Sequence, residues 1–107
     1  MFTGNEDQEI TLSTAVDLTA NYRASLASGI CSTDPTLGHY FSRKTLLAIL
    51  AQDGCVGARV YYGQTATGVK EPVIVGVAAN ENDLYEGFKG DRSYKSPPHG
   101  SLNPLNS

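Results

Sequence analysis

The stretch DGCVGARVYYG, residues 53–63, decides how the fold is read. Val56, Ala58, Val60 and Tyr62 alternate with Gly57, Arg59 and Tyr61, and a period of two predicts a β-strand. On that alternation Tyr62 joins the apolar, core-facing side. Cys55, Arg59 and Tyr61 share the other side. Downstream, Val73, Val75 and Val77 fall on one face of PVIVGVAA while Ile74, Gly76 and Ala78 fall on the other. Both faces are apolar, so this second strand is expected to be the more central one. The two strands are expected to form an antiparallel hairpin, joined by a loop too long for its turn type to be read.

Upstream, TLSTAVDLTANYRASLASG predicts a helix, with Leu12, Ala15, Thr19, Tyr22 and Leu26 along one stripe. Thr11 or Ser13 can cap it, and Gly29 supplies a stop; Asp17 and Asn21 lie off the stripe and are expected in solvent. After a connector containing Asp34-Pro35, SRKTLLAILAQ predicts a second helix that Asp53-Gly54 ends. Ser42 is its expected N-cap, and Phe41 and Leu46 occupy the two positions of a hydrophobic staple. Leu46, Leu47, Ile49 and Leu50 give it a wide apolar face, so it is expected to be the more deeply buried helix.

The expected fold class is α+β, with two helices packed on one face of a small antiparallel sheet. Residues 1–9 are expected to be a mobile N-terminus, 10–90 a single domain, and 91–107 a flexible polar tail. NENDLYEGFKG reads as a polar turn with a short strand through Leu84 and Tyr85. Because an isolated hairpin is marginal, the sheet must gain strands from a terminus or a second subunit, and a homodimer is expected.

Composition narrows the function classes. With 107 residues, 40% apolar, 18% charged and a net charge of −3, the chain reads as one globular domain. It has no basic cluster that would release counterions from phosphates, which argues against nucleic-acid binding. No segment approaches the roughly 20 apolar residues of a membrane span. The acidic start MFTGNEDQEI lacks the pattern of a signal peptide, so a cytoplasmic location is expected. Cys31 and Cys55 have no CxxC spacing and are expected to be free thiols in a reducing compartment, or one disulfide if the protein is exported.

Several residues are weighed for chemistry. Cys55 follows the C-terminal end of a helix, where the dipole opposes a thiolate, so a small buried hydrophobe is preferred to a nucleophile. Arg43 and Lys44 in the first turn of the second helix carry a charge disfavoured there by about 0.3–1 kcal/mol. An anion would reverse that cost, which makes Arg43 and Lys44, with nearby His39, the best anion-binding candidate. The competing expectation starts the helix near Leu37 and leaves both cations solvated. Arg59 and Tyr61 are interface candidates, against an ordinary solvated sheet face. NEND at 80–83 fails the EF-hand pattern and is expected to form an Asx turn; His99 lies in the tail. No nucleotide, hydrolase or metal motif is present, and no catalytic residue, metal or cofactor is expected.

The run LLAILAQDGCVGARVYYGQTATGVKEPVIVGVAANENDL, with ITL and NYR upstream, resembles a family of small uncharacterised bacterial proteins. They share a helix ending in Ala-Gln-x-Gly-Cys, a strand, and a Val-Gly-Val strand. The resemblance covers most of residues 10–90 and brings no activity with it. A Cys-Pro-Pro-x-Cys-like tail in that family implies a thiol or metal role. The matching Ser96-Pro97-Pro98-His99 has neither cysteine, so that role does not transfer. The leading expectation is a non-enzymatic interaction module that self-associates. The alternative is a small-ligand or anion-binding protein using the second helix N-terminus, and less favoured is a Cys55-dependent enzyme.

Overall fold

The computed structural model describes residues 1–27, 35–91, 93–96 and 103–105. Two helices, α1 (Leu12–Ala27) and α2 (Arg43–Leu50), combine with two small antiparallel sheets, so the fold is α+β. One sheet has the order β2 (Cys55–Tyr61), β3 (Val73–Ala78), β4 (Lys89–Gly90); the other pairs β1 (Gly38–Tyr40) with β5 (Tyr94–Ser96). The two strands legible as a hairpin are one, and β3, apolar on both faces, is central.

The long hairpin loop continues the ladder in irregular form. Glu71 N donates to Gly63 O, Gln64 bridges Lys70, and Thr65 N donates to Val69 O. Gly68 closes the turn at φ +90°, a left-handed backbone that only glycine takes without strain. The third strand is supplied by a different segment from the one expected. Asp83 makes an isolated bridge to Val77, with Leu84 N donating to Gly76 O and Asn82 O accepting from Ala78 N, and pairing resumes at Lys89–Gly90. At residues 80–82 the expected Asx turn is present, with Asn82 N donating to Asn80 Oδ1 (3.1 Å).

The region expected as a tail contributes β5, which pairs Tyr94 with Tyr40. Their rings stack at 5.9 Å, the cross-strand aromatic contact that stabilises a short ladder. Residues 97–102, including His99, and residues 28–34, including Gly29 and Cys31, lie outside the described residues.

Thr11 caps α1, accepting from Thr14 N (3.1 Å), and Ser42 caps α2, accepting from Thr45 N (3.2 Å). α2 therefore starts at Arg43 and not near Leu37. It packs on the three-stranded sheet, whereas α1 is tied at particular side chains. Arg23 Nη1 donates to Leu105 O (2.6 Å), and the Tyr22 hydroxyl meets Thr36 O and Lys70 Nζ.

The core is small. Its buried apolar residues are Ile49, Ile74, Val75 and Val77. Of the four large aliphatic residues on α2 only Ile49 is enclosed; Leu47 and Leu50 remain 58% and 49% exposed, because a three-stranded sheet covers one ridge of an eight-residue helix and no more. The side chain of Gln52 ties the end of α2 to the segment before β4. Its Nε2 donates to Ile49 O (2.9 Å) and its Oε1 accepts from Phe88 N (2.8 Å).

The first residues lie against the end of β3, with Phe2 N donating to Ala79 O (2.9 Å) and the N-terminal ammonium 3.3 Å from Glu81. There the Glu6 carboxylate accepts from Thr3 N and Oγ1 and from Gly4 N. These bonds, the Thr3 amide foremost, hold Glu6 below its usual value of 4.5. A lowered folded value means that Glu6 stabilises the fold fully above 4.5 and loses that contribution as pH falls through its folded midpoint. A carboxyl NMR titration is expected to place Glu6 below 4.5 in the folded chain, and closer to the usual value in Thr3→Pro, which lacks both donors of residue 3 but keeps the Gly4 amide.

Candidate functional site

The sites named from the sequence separate in three dimensions. The ladder between β2 and β3 slips between Cys55 and Gly57, a β-bulge that overturns the simple alternation. Cys55 pairs with Ala78, and its Sγ lies 3.0 Å from the position a Cβ on Gly76 would take. That places the thiol on the face of Ala58, the partner of Gly76, and away from the face of Arg59 and Tyr61. Cys55 is a half-buried free thiol that donates to Gly57 O (3.1 Å). These contacts make it a packing residue.

Tyr62 is also corrected. It lies beyond the last residue of β2 and is fully exposed, at 101%, so it is no part of the core. Where the strand ends, alternation no longer dictates which way the chain turns its side chains.

Arg59 and Tyr61 share a face as expected and converge on one carboxylate. Arg59 Nη1 lies 2.5 Å from Asp83 Oδ1, and the Tyr61 hydroxyl donates to Asp83 Oδ2. Tyr61 first, and then Asp83, hold the guanidinium above its usual value. Arg59 Nη1 also approaches Glu81 O at 3.4 Å, so the cluster clamps the 80–83 turn to β2. Both residues proposed as a contact surface are thereby engaged within the chain.

Around the start of α2 two cavities open. A smaller one, about 480 Å³, is lined by Ser42 and Thr45 of the first turn together with Tyr40, Tyr94 and residues 88–91. A larger one, about 850 Å³, lies between α1, β1 and the far end of the hairpin. Arg43 and Lys44 are exposed and line neither. His39, which sequence proximity grouped with them, lines the larger cavity instead, its Nδ1 2.9 Å from Ser93 Oγ.

The larger cavity has an aromatic and apolar wall that includes Tyr22, His39, Phe41, Val60 and Tyr62. Its cation is Lys70, half-buried, which donates to the Tyr22 hydroxyl. Sequence reading passed over Lys70 as a loop residue and took Tyr22 as part of a helix stripe. No local motif joins two residues that meet only when the hairpin folds toward α1. Among the described residues, no group of three or more His, Cys, Asp or Glu is placed to hold a metal ion, and no helix is long and apolar enough to cross a membrane. No family model, curated protein or solved structure matches the chain.

Proposed function

We propose that the protein is a self-associating interaction module whose partner is a second copy of the chain, joined through the outer edge of β2. The observation that carries this reading is that β2, seven residues long, stands at the edge of its sheet with Ala58, Val60 and Tyr61 exposed. An edge strand leaves alternate backbone N–H and C=O groups unpaired, and proteins that stay monomeric usually blunt such an edge with charge, proline or a covering segment. Residues 58–61 hold one charge, Arg59, which Asp83 neutralises.

Surface area supports the same reading. The chain exposes 7831 Å², against about 5,800 Å² for a compact monomer of 11.4 kDa. Its radius of gyration is 15.5 Å, against about 13 Å for a compact chain of this length. The excess is larger than the roughly 800 Å² that each partner buries in a standard interface, so such a contact would cover part of it. Antiparallel pairing of β2 with its symmetry mate joins two three-stranded sheets into one of six strands by a self-complementary contact.

Sedimentation equilibrium across micromolar concentrations is expected to show a monomer–dimer equilibrium. Ala58→Lys, a charge on an exposed position of the edge, is expected to shift it to monomer while leaving the circular dichroism spectrum unchanged. A wild-type chain that stays monomeric throughout would overturn the reading.

A further inference from the structure

We propose that Leu46 and Leu50 of α2 form a second docking surface for the copy joined at β2, packing over the paired strand edges against that copy's apolar side chains. This inference rests on the edge pairing proposed above. Thr45, Ile49 and Gln52 seat α2 on the sheet. Thr45 Cγ2 and Ile49 Cδ1 lie 2.9 and 3.8 Å from the position of a Cβ on Gly90, the partner of Ile74, and Gln52 Nε2 lies 2.8 Å from that on Gly76. α2 therefore runs in the same direction as β3. Viewed from the helix side with β3 rising, L-residues that face the viewer send their N–H and C=O to the right. Ala78 and Gly76 bond in that direction to Asn82 and Leu84, so β4 lies to the right and β2 to the left. In a right-handed helix that rises the same way, the residue after a sheet-facing one turns about 100° to the left. Leu46 follows Thr45 and Leu50 follows Ile49, so both turn toward the open edge of β2, whereas Leu47 points away from the sheet.

Ala58 and Val60 pair with Gly76 and Ile74, so their side chains share the α2 face of the sheet, and both are exposed. Edge and helix thus make an apolar step, with Ala58 and Val60 as its floor and Leu46 and Leu50 as its wall. The two-fold axis of an antiparallel strand pair stands perpendicular to the sheet, so pairing β2 with its mate sets both α2 helices on the same face. β3 and its mate then lie three strand spacings apart, about 14 Å. That is little more than the roughly 10–12 Å width of one helix with its side chains. The leucines of the two copies close over the shared floor, and the contact covers apolar surface that a single chain leaves in water.

The test mixes methyl-labelled and unlabelled full chain and records NMR contacts that pass only between copies. Contacts are expected from the Leu46 and Leu50 methyls to the Leu46, Leu50, Ala58 and Val60 methyls of the other copy, and none from Leu47. In sedimentation equilibrium the double variant Leu46→Gln, Leu50→Gln is expected to dimerise at least about tenfold more weakly than the wild type. Leu47→Gln, a more exposed leucine of the same helix, is expected to stay within about twofold of it. The wild-type spectrum decides the matter even if the double variant fails to fold. A wild-type chain that stays monomeric overturns the edge pairing and this contact together. Three results would overturn the helix contact alone: a dimer with protected amides at Ala58 and Val60 but no such methyl contacts, a double variant that dimerises as the wild type does, or an equal loss in Leu47→Gln.

Discussion

Ile49→Ala is expected to lower the unfolding free energy by about 2–5 kcal/mol, a large share of the roughly 5–15 kcal/mol of an ordinary small domain. Among the described residues Ile49 is the largest fully enclosed side chain, at 0% exposure, and it sits where α2 meets the sheet. Its Cδ1 lies 3.8 Å from the position a Cβ would take on Gly90, so truncation opens a void at the seam between helix and sheet. With a core this small, few neighbours can move in to fill it. Leu47→Ala on the same helix is expected to cost under about 1 kcal/mol, since the leucine is already more than half exposed. Urea denaturation of the two variants checks the contrast: the midpoint falls for Ile49→Ala with an unchanged slope. Equal midpoints would mean that α2 does not seat on Ile49.

The next largest effect is expected at Gly90. This residue is buried in β4, and a Cβ there would come within 2.8 Å of Ile74 Cγ2 and 2.9 Å of Thr45 Cγ2. Neither neighbour is a free chain end: Ile74 is buried in the central strand, and Thr45 is fixed in the capped first turn of α2. Gly90→Ala is therefore expected to cost about 1–3 kcal/mol through overpacking. Gly57→Ala, where nothing lies within 4 Å of the added carbon, is expected to change stability by less than about 0.5 kcal/mol. Thr45→Ser removes one of the two colliding methyls but keeps the hydroxyl that accepts from the N-cap Ser42 Oγ, so it is expected to recover part of the Gly90→Ala loss in a double-mutant cycle.

The elements that local pattern could reveal were those whose periodicity is strong. Both helices, the cap at Ser42, the β2–β3 hairpin and the central position of β3 follow from apolar spacing and capping chemistry within a few residues. Three features escaped for separate physical reasons. The bulge at Cys55–Gly57 inserts one residue into the alternation and moves Cys55 to the opposite face, and no propensity marks where a ladder slips. β4 and β5 are too short to show a period, and β5 exists because Tyr94 finds Tyr40 some fifty residues away.

The third is the larger cavity. Tyr22 lies on α1, His39 on β1 and Lys70 in the hairpin loop, and only the closing of the fold brings them to one wall. Arg43 and Lys44 show the converse: the helix boundary that drew attention to them is correct, yet the cavity beside that turn is lined by Ser42 and Thr45.

Self-association through the outer edge of β2 is the proposed function, and amide hydrogen exchange measured at two protein concentrations tests it most directly. In β2 alternate amides bond to β3, and the others point outward. At high concentration the outward amides of residues 58–61 are expected to be protected nearly as well as the inward ones, and dilution is expected to release them selectively. Outward amides that exchange rapidly at every concentration, with inward ones protected throughout, would contradict the proposed edge-to-edge pairing.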